Sequence, residues 1–328
     1  MRIPFYFVAT LLLFGASAWA ETQCPPLKMI ASVDLIPLAN QVHQMVPVLI
    51  NGRPKTMIID LGSEVSTLSQ ETLDDLKLDS HETHTQVFGI SGAATNRYTM
   101  TDVQIGALKG NIKFMVDNGV VQMFHDPQVA GTLGADILAH FDLSIDYGSK
   151  KLDLISPDHC DGNVLYWKPQ AVAVIPFKIW HKTKIVFEVT LDGQKMYAVL
   201  DTSASRSMLR LGPADRYFGI KPGTDDTPVT GHLNEREDLP TYSHTFKALD
   251  LNGLSVINPT FILYSDRTSK ILGPPQVGYL VPVRDDAITA PIIVGMNVLK
   301  QLHIYIAYKE KKIYISPAGP PKAASAAQ

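Results

Sequence analysis

An apolar run ending in aspartate occurs twice in the chain and constrains its fold more than any other feature. Ile58-Ile59-Asp60-Leu61-Gly62-Ser63 returns as Val199-Leu200-Asp201-Thr202-Ser203-Ala204, 141 residues further on. A carboxylate that directly follows hydrophobic strand residues and precedes small ones sits at a strand end, partly desolvated, with backbone N–H groups close by. Two such loops can bring two carboxylates together.

The likeness extends to both sides of each aspartate. Val46-Pro47-Val48-Leu49-Ile50 reads as a strand, Asn51-Gly52 as a tight two-residue turn and residues 55–59 as the returning strand. Val189-Thr190-Leu191, Asp192-Gly193 and residues 197–200 repeat this pattern at the same offset. Later, Gly131-Thr132-Leu133-Gly134-Ala135-Asp136-Ile137-Leu138 and the hairpin at 143–155 match Val294-Gly295-Met296-Asn297-Val298-Leu299 and the hairpin at 304–315 at an offset of 161. Asp136 and Asn297 are expected as N-caps of short helices. The growth in offset gives the second half 20 extra residues, expected around 222–243 or 265–287, which are rich in Gly, Pro and charge.

Between these blocks, residues 63–69 suit a second short strand and 70–78 have helical spacing. Residues 86–93, with Gly89 and Gly92, read as a glycine-punctuated hairpin, followed by strands around 103–105 and 112–116. Residues 156–172 mix Pro, Gly and polar side chains and mark a domain boundary, which divides the chain into lobes at 27–158 and 170–317. Residues 318–328 are Ala/Pro/Ser-rich and are expected to be disordered.

Composition removes several functional classes. A chain of 328 residues that is 45% hydrophobic can bury one large core or two moderate ones. Its net charge of −3 and the lack of a long basic run do not fit nucleic-acid binding. Residues 1–20 read as a secretory signal: Arg2 precedes an apolar stretch, and Ala18-Trp19-Ala20 fits a cleavage site. The protein is therefore expected to be exported, periplasmic or secreted, with no stable membrane span after cleavage. Export would place Cys24 and Cys160 in an oxidising compartment, where one disulfide is expected and two unpaired thiols are the alternative. His81-Glu82-Thr83-His84 lacks a third ligand, so it reads as a solvated stretch, and neither a metal nor a cofactor is expected. Tyr166 and Trp167 are expected to pack the lobes together rather than line a cleft.

Each half resembles a retropepsin-like aspartic protease unit, and the tandem resembles a covalently linked, pepsin-like pair. The resemblance rests on the two Asp loops, on Thr132-Leu133-Gly134 and Ile293-Val294-Gly295, and on the terminal hairpins, found twice in the same order. It implies a mostly β fold of two tandem closed β-barrel (acid protease) lobes with short helices. It also implies a monomer with pseudo-two-fold lobes and a peptide or protein substrate held between them. The catalytic pair would be Asp60 and Asp201, supported by Gly62, Ser63, Thr202 and Ser203, with flap tips near Gly89, Gly92 and Gly231. Two carboxylates a few Å apart cannot both ionise easily, so they share a proton and can activate a water.

Two residues depart from the family pattern. Leu61 replaces a Thr that bonds across to the opposite loop, and Thr202 is expected to keep half of that contact. Ser203 replaces a Gly, and its Cβ is expected to obstruct the peptide or strain the loop. Ser63 matches a position whose hydroxyl supports the neighbouring Asp. The leading reading is an exported aspartic endopeptidase. A peptide- or protein-binding pseudoprotease and a structural envelope protein are the alternatives.

Overall fold

A computed structural model describes residues 24–319, apart from 40, 89–93, 118, 120–123, 125, 234–236 and 266–289. The expected signal segment, Gly89 and Gly92, residues 320–328 and most of 265–287 lie outside the described residues. The described chain is mostly β, with four short α-helices.

The first half runs through β1 (Met29–Asp34), β2 (Ile36–Pro37), β3 (Gln44–Ile50), β4 (Arg53–Asp60) and β5 (Thr67–Leu68). Helix α1 (Gln70–Leu76) follows, capped by Ser69, whose Oγ accepts the Thr72 N–H at 3.1 Å. Then come β6 (His81–Phe88), β7 (Ala94–Ile105), β8 (Leu108–Val116), β9 (Val129–Gly134), helix α2 (Ala135–Leu138), β10 (Asp142–Asp146) and β11 (Lys151–Ile155). Strands β3, β4, β9, β5, β8 and β7 are neighbours in that order, and pairing of β3 with β7 closes them into a six-stranded barrel. The turn between β3 and β4 places Asn51 and Gly52 at φ 48 and 77, the left-handed pair that a tight hairpin demands.

The second half begins with β12 (Ala173–Trp180), β13 (Lys184–Leu191), β14 (Gln194–Leu200), β15 (Met208–Arg210) and helix α3 (Leu211–Phe218). It continues with β16 (Val229–His232), β17 (Pro240–Thr245), β18 (Ala248–Asp250), β19 (Ser255–Ile257) and β20 (Thr260–Tyr264). It ends with β21 (Ile292–Val294), helix α4 (Met296–Leu299), β22 (Leu302–Ala307) and β23 (Lys312–Pro317). Asp192 and Gly193 repeat the left-handed turn at φ 43 and 82. Strand pairing keeps the same register as well, since Met45↔Ile58 becomes Val186↔Val199, 141 residues on in both strands. Here β17 and β18 together take the place of β7, and the circuit closes from β18 to β13. Thr67↔Met115 corresponds to Met208↔Ile262, where the offset of the second strand is already 147, so most of the added residues follow Ile262.

A six-stranded sheet, β1–β11–β10–β22–β23–β12, joins the two barrels. Its central pairing is Leu143↔Ile306, Ser144↔Tyr305 and Ile145↔Ile304, which maps onto itself when the halves are exchanged at the 161 offset. One face packs into a core continuous through both halves, including Leu143, Ile145, Ile304 and Ile306. The other face carries Ile155, Tyr305, Ala307 and Tyr314, covered by Val164 and Trp167 of the connector. Burial on both faces explains why Leu302–Ala307 is buried throughout rather than alternating. Cys24 and Cys160 form a disulfide with a Cα–Cα distance of 5.7 Å, tying the start of the described chain to the connector.

Two local expectations are corrected. Gly134 and Gly295, not Asp136 and Asn297, cap α2 and α4. Asp136 and Asn297 instead reach sideways: Asp136 Oδ2 and Oδ1 accept the Ser66 N–H (3.0 Å) and hydroxyl (2.7 Å), and Asn297 Oδ1 accepts the Ser207 N–H (2.6 Å) and hydroxyl (2.9 Å). Gly231 lies within β16, bonded opposite Thr241, and is not a hairpin tip. The His81–His84 stretch, expected to be solvated, is the start of strand β6, with His81, Glu82 and His84 exposed.

Candidate active site

Asp60 ends β4, beside Gly134 of the parallel strand β9, and Asp201 follows β14, its N–H donating to the Val294 carbonyl at 3.1 Å. Both side chains are withdrawn from solvent, at 6% and 3% exposure. The loops that carry them touch. A β-carbon built on Gly62 would lie 2.5 Å from Asp201 Cγ and 2.6 and 2.7 Å from its two oxygens, so the carboxylate occupies the space that a side chain there would need. This requirement for glycine comes from close approach, because Gly62 does not have positive φ.

A single hydroxyl fastens the loops. Thr202 Oγ1 donates to the Ile59 carbonyl at 2.7 Å and accepts the Leu61 N–H at 3.0 Å. Leu61 supplies no reciprocal hydroxyl; its side chain is 1% exposed and part of the shared core. Half of the polar contact survives and the other half is apolar packing, as the sequence led one to expect.

The two carboxylates have different surroundings. Asp201 Oδ1 accepts three hydrogen bonds from its own loop: the Ser203 N–H at 2.9 Å, the Ser203 hydroxyl at 2.8 Å and the Ala204 N–H at 3.1 Å. Asp60 Oδ1 is buried without a hydrogen-bond partner among the described residues. Burial first, and the charge of Asp201 second, push the Asp60 carboxyl up to about 7, against the Ser203 hydroxyl and the N–H groups of Gly62 and Ser63.

The Ser63 hydroxyl does not serve Asp60, and the loop strain expected at Ser203 is absent. The Ser63 hydroxyl donates to the Val65 carbonyl (2.9 Å) and accepts the Val65 N–H (3.3 Å), which turns it away from Asp60 into a local turn. Ser203 has no left-handed backbone strain, and its hydroxyl donates to Asp201 Oδ1 while also favouring the ionised form of Asp60. Gly62, Thr202 and Ser203 meet Asp201 or the opposite loop, whereas Gly231 lies in β16 and Gly89 and Gly92 lie outside the described residues.

Residues 46–137 match the model of the aspartyl protease family. The matched residues span most of the first barrel, so this part of the chain is similar to the aspartyl protease family. The match ends before the second barrel, and no curated protein matches the chain. The matched barrel contains Asp60, and its partner loop is supplied by the second half of the same chain.

Two residues beside the loops escaped the sequence reading. His43 Nε2 lies 2.9 Å from the Ser203 carbonyl oxygen and donates to it. Burial, opposed by that carbonyl and by the charge of Asp201, lowers the His43 pKa. Lys184 is buried in the field of Asp201, Glu64 and Asp60. The 141 offset pairs His43 with Lys184, a signal hidden because the residue types differ.

Elsewhere, Ser144 Oγ is 2.7 Å from His303 Nε2, and His303 Nδ1 is 3.9 Å from Asp146, a composition that suits a nucleophilic triad. Trp167 stacks on His303 at 4.1 Å and the Tyr166 hydroxyl donates to Ser144, so these residues hold the connector against the sheet and leave no face for a substrate. Among the described residues no His, Cys, Asp and Glu cluster suits a metal ion, and no helix is long and apolar enough to cross a membrane.

Proposed function

We propose that this protein is an exported aspartic endopeptidase, a monomer whose lobes at 27–158 and 170–317 hold a peptide or protein between them. The family match over residues 46–137 supports peptidase chemistry in general. The observation that carries the finer reading is the contact of the Asp201 carboxylate with Gly62, which brings the second aspartate onto the loop of the first.

The unequal surroundings suggest a division of labour. Asp201, with three donors on one oxygen, is the carboxylate that takes a proton from water as the water oxygen attacks the peptide carbonyl carbon. Asp60, held protonated below about pH 7, donates to the carbonyl oxygen as it becomes an oxyanion. Collapse of the tetrahedral species breaks the C–N bond, the proton collected by Asp201 passes to the leaving nitrogen, and Asp60 recovers its proton as the carbonyl re-forms. The products are a carboxylic acid and an amine, with water consumed.

A second reading, a peptide-binding pseudoprotease, is favoured by Ser203, whose hydroxyl bonds to Asp201 Oδ1, and by the missing hydroxyl at Leu61. Purified protein would be incubated with a peptide library from about pH 3 to about pH 8, beside Asp60→Asn and Asp201→Asn. Cleavage abolished by either substitution is the expected result. Cleavage that survives both rejects the pair, and peptide binding without any cleavage favours the second reading.

A further inference from the structure

His43 and Lys184 occupy the same structural position in the two halves. Both precede the first residues of the matched pairs Met45↔Ile58 and Val186↔Val199 by two residues, Lys184 at the start of β13 and His43 just before β3. These pairs pack in the same way in both halves, Met45 with Ile58 and Val129, and Val186 with Val199 and Ala290. From this position His43 crosses to the Asp loop of the other half, bonding the Ser203 carbonyl. Lys184 is 5% exposed and lies in the field of Asp201, Glu64 and Asp60. Glu64 and Asp60 belong to the loop of the other half, so the crossing is reciprocal.

We propose that Lys184 is the counter-charge of the Asp60–Asp201 pair, a positioning residue whose buried ammonium stabilises the ionised carboxylates without touching substrate. A buried ammonium is costly unless it is compensated, and the acidic groups facing it are those of the two Asp loops. Burial pulls the Lys184 pKa down, while Asp201, then Glu64 and Asp60, act to raise it. Coulomb attraction is mutual, so the ammonium favours ionisation of the same carboxylates. Among the described residues, His43 also lies at the loops, bonded to the backbone of Ser203, and Asp136 bonds Ser66 just beyond the first loop. Glu188 and Lys195 of the β13–β14 hairpin are exposed and pair with each other at 2.9 Å. When the aspartates hold one proton, the ammonium balances the single remaining charge, and the pair is kept from taking up a second proton until more acidic conditions.

The role in catalysis rests on the proposed peptidase reading, whereas the charge relation does not. Full-length protein labelled with 13C at Asp Cγ would be titrated by NMR as wild type, Lys184→Met and Lys184→Arg, with Asp60→Asn and Asp201→Asn assigning the signals. The buried carboxyl titration is expected to move up by about one pH unit or more in Lys184→Met and to return toward wild type in Lys184→Arg. An unchanged titration in folded Lys184→Met overturns the proposal, as does an Arg variant no closer to wild type than the Met variant. If Lys184→Met does not fold, the wild-type Lys184 Cε resonance decides: an inflection where the aspartates titrate supports the proposal, and a flat response overturns it. Cleavage assays on the same samples separate the two ideas. A shifted titration in a protein that cleaves nothing keeps the counter-charge and rejects the peptidase, and active enzyme with an unshifted titration does the reverse.

Discussion

The carboxylate of Asp201 lies where a β-carbon on Gly62 would have to be, 2.5 Å from Cγ to that position. The two Asp loops are therefore fitted to each other through the absence of a side chain. Gly62→Ala is expected to force the loops apart, destabilising the protein by about 1–3 kcal/mol in denaturant titrations and removing any cleavage activity. Because the backbone conformation there suits alanine, the loss should be smaller when Asp201→Ala is present as well, and a double-mutant cycle measures that coupling.

Thr202→Val keeps the shape of the residue but removes its hydroxyl. The Ile59 carbonyl and the Leu61 N–H both lose their partner in a buried site. The expected loss is about 1–3 kcal/mol for the buried polar groups left unsatisfied, again read by denaturant titration. Leu61→Ala should also destabilise, by about 2–5 kcal/mol, since the residue that replaces the second hydroxyl contact is packed in the core.

Asp60 gives stability a defined pH dependence. Its carboxyl is pushed from the model-peptide value of 3.8 up to about 7, so between about pH 4 and about pH 7 the folded protein holds a proton that the unfolded chain has released. The contribution is complete at the acidic end and is lost as pH rises through the folded value. Thermal melts of wild type and Asp60→Asn across this range should show the wild type losing stability relative to the variant as pH rises. Parallel curves would rule this out.

The disulfide between Cys24 and Cys160 closes a loop with a sequence separation of 136. Its removal by Cys24→Ser with Cys160→Ser is expected to lower stability by about 2–5 kcal/mol. The same substitutions should leave the Asp pair untouched, so activity measured well below the melting temperature should persist.

Both Asp loops, their hairpin turns and the terminal hairpins were legible because strand period and turn chemistry are local. Asn51-Gly52 and Asp192-Gly193 carry their left-handed turns in their residue types. The roles of Asp136 and Asn297 were misread because each sits at a helix start, where capping is the local expectation, yet bonds a serine some 70 or 90 positions earlier in the chain. Ser203 was read from its Cβ alone, whereas its hydroxyl proved to be the feature that matters for Asp201. His43 and Lys184 were in the repeat throughout, but their shared position emerges only from strand register, because an imidazole and an ammonium do not look like copies of one another.

The central pairing of β10 with β22 reads the same from either half, about Ser144↔Tyr305. A seam of that kind is what two identical subunits would form on meeting, yet here both sides belong to one chain. The connector replaces a concentration-dependent encounter by a tethered one, so closure of the seam should proceed at the same rate however dilute the protein. Freed from the need to be identical, the two sides can diverge, and an imidazole at one entrance with an ammonium at the other is an asymmetry that no symmetric dimer could adopt.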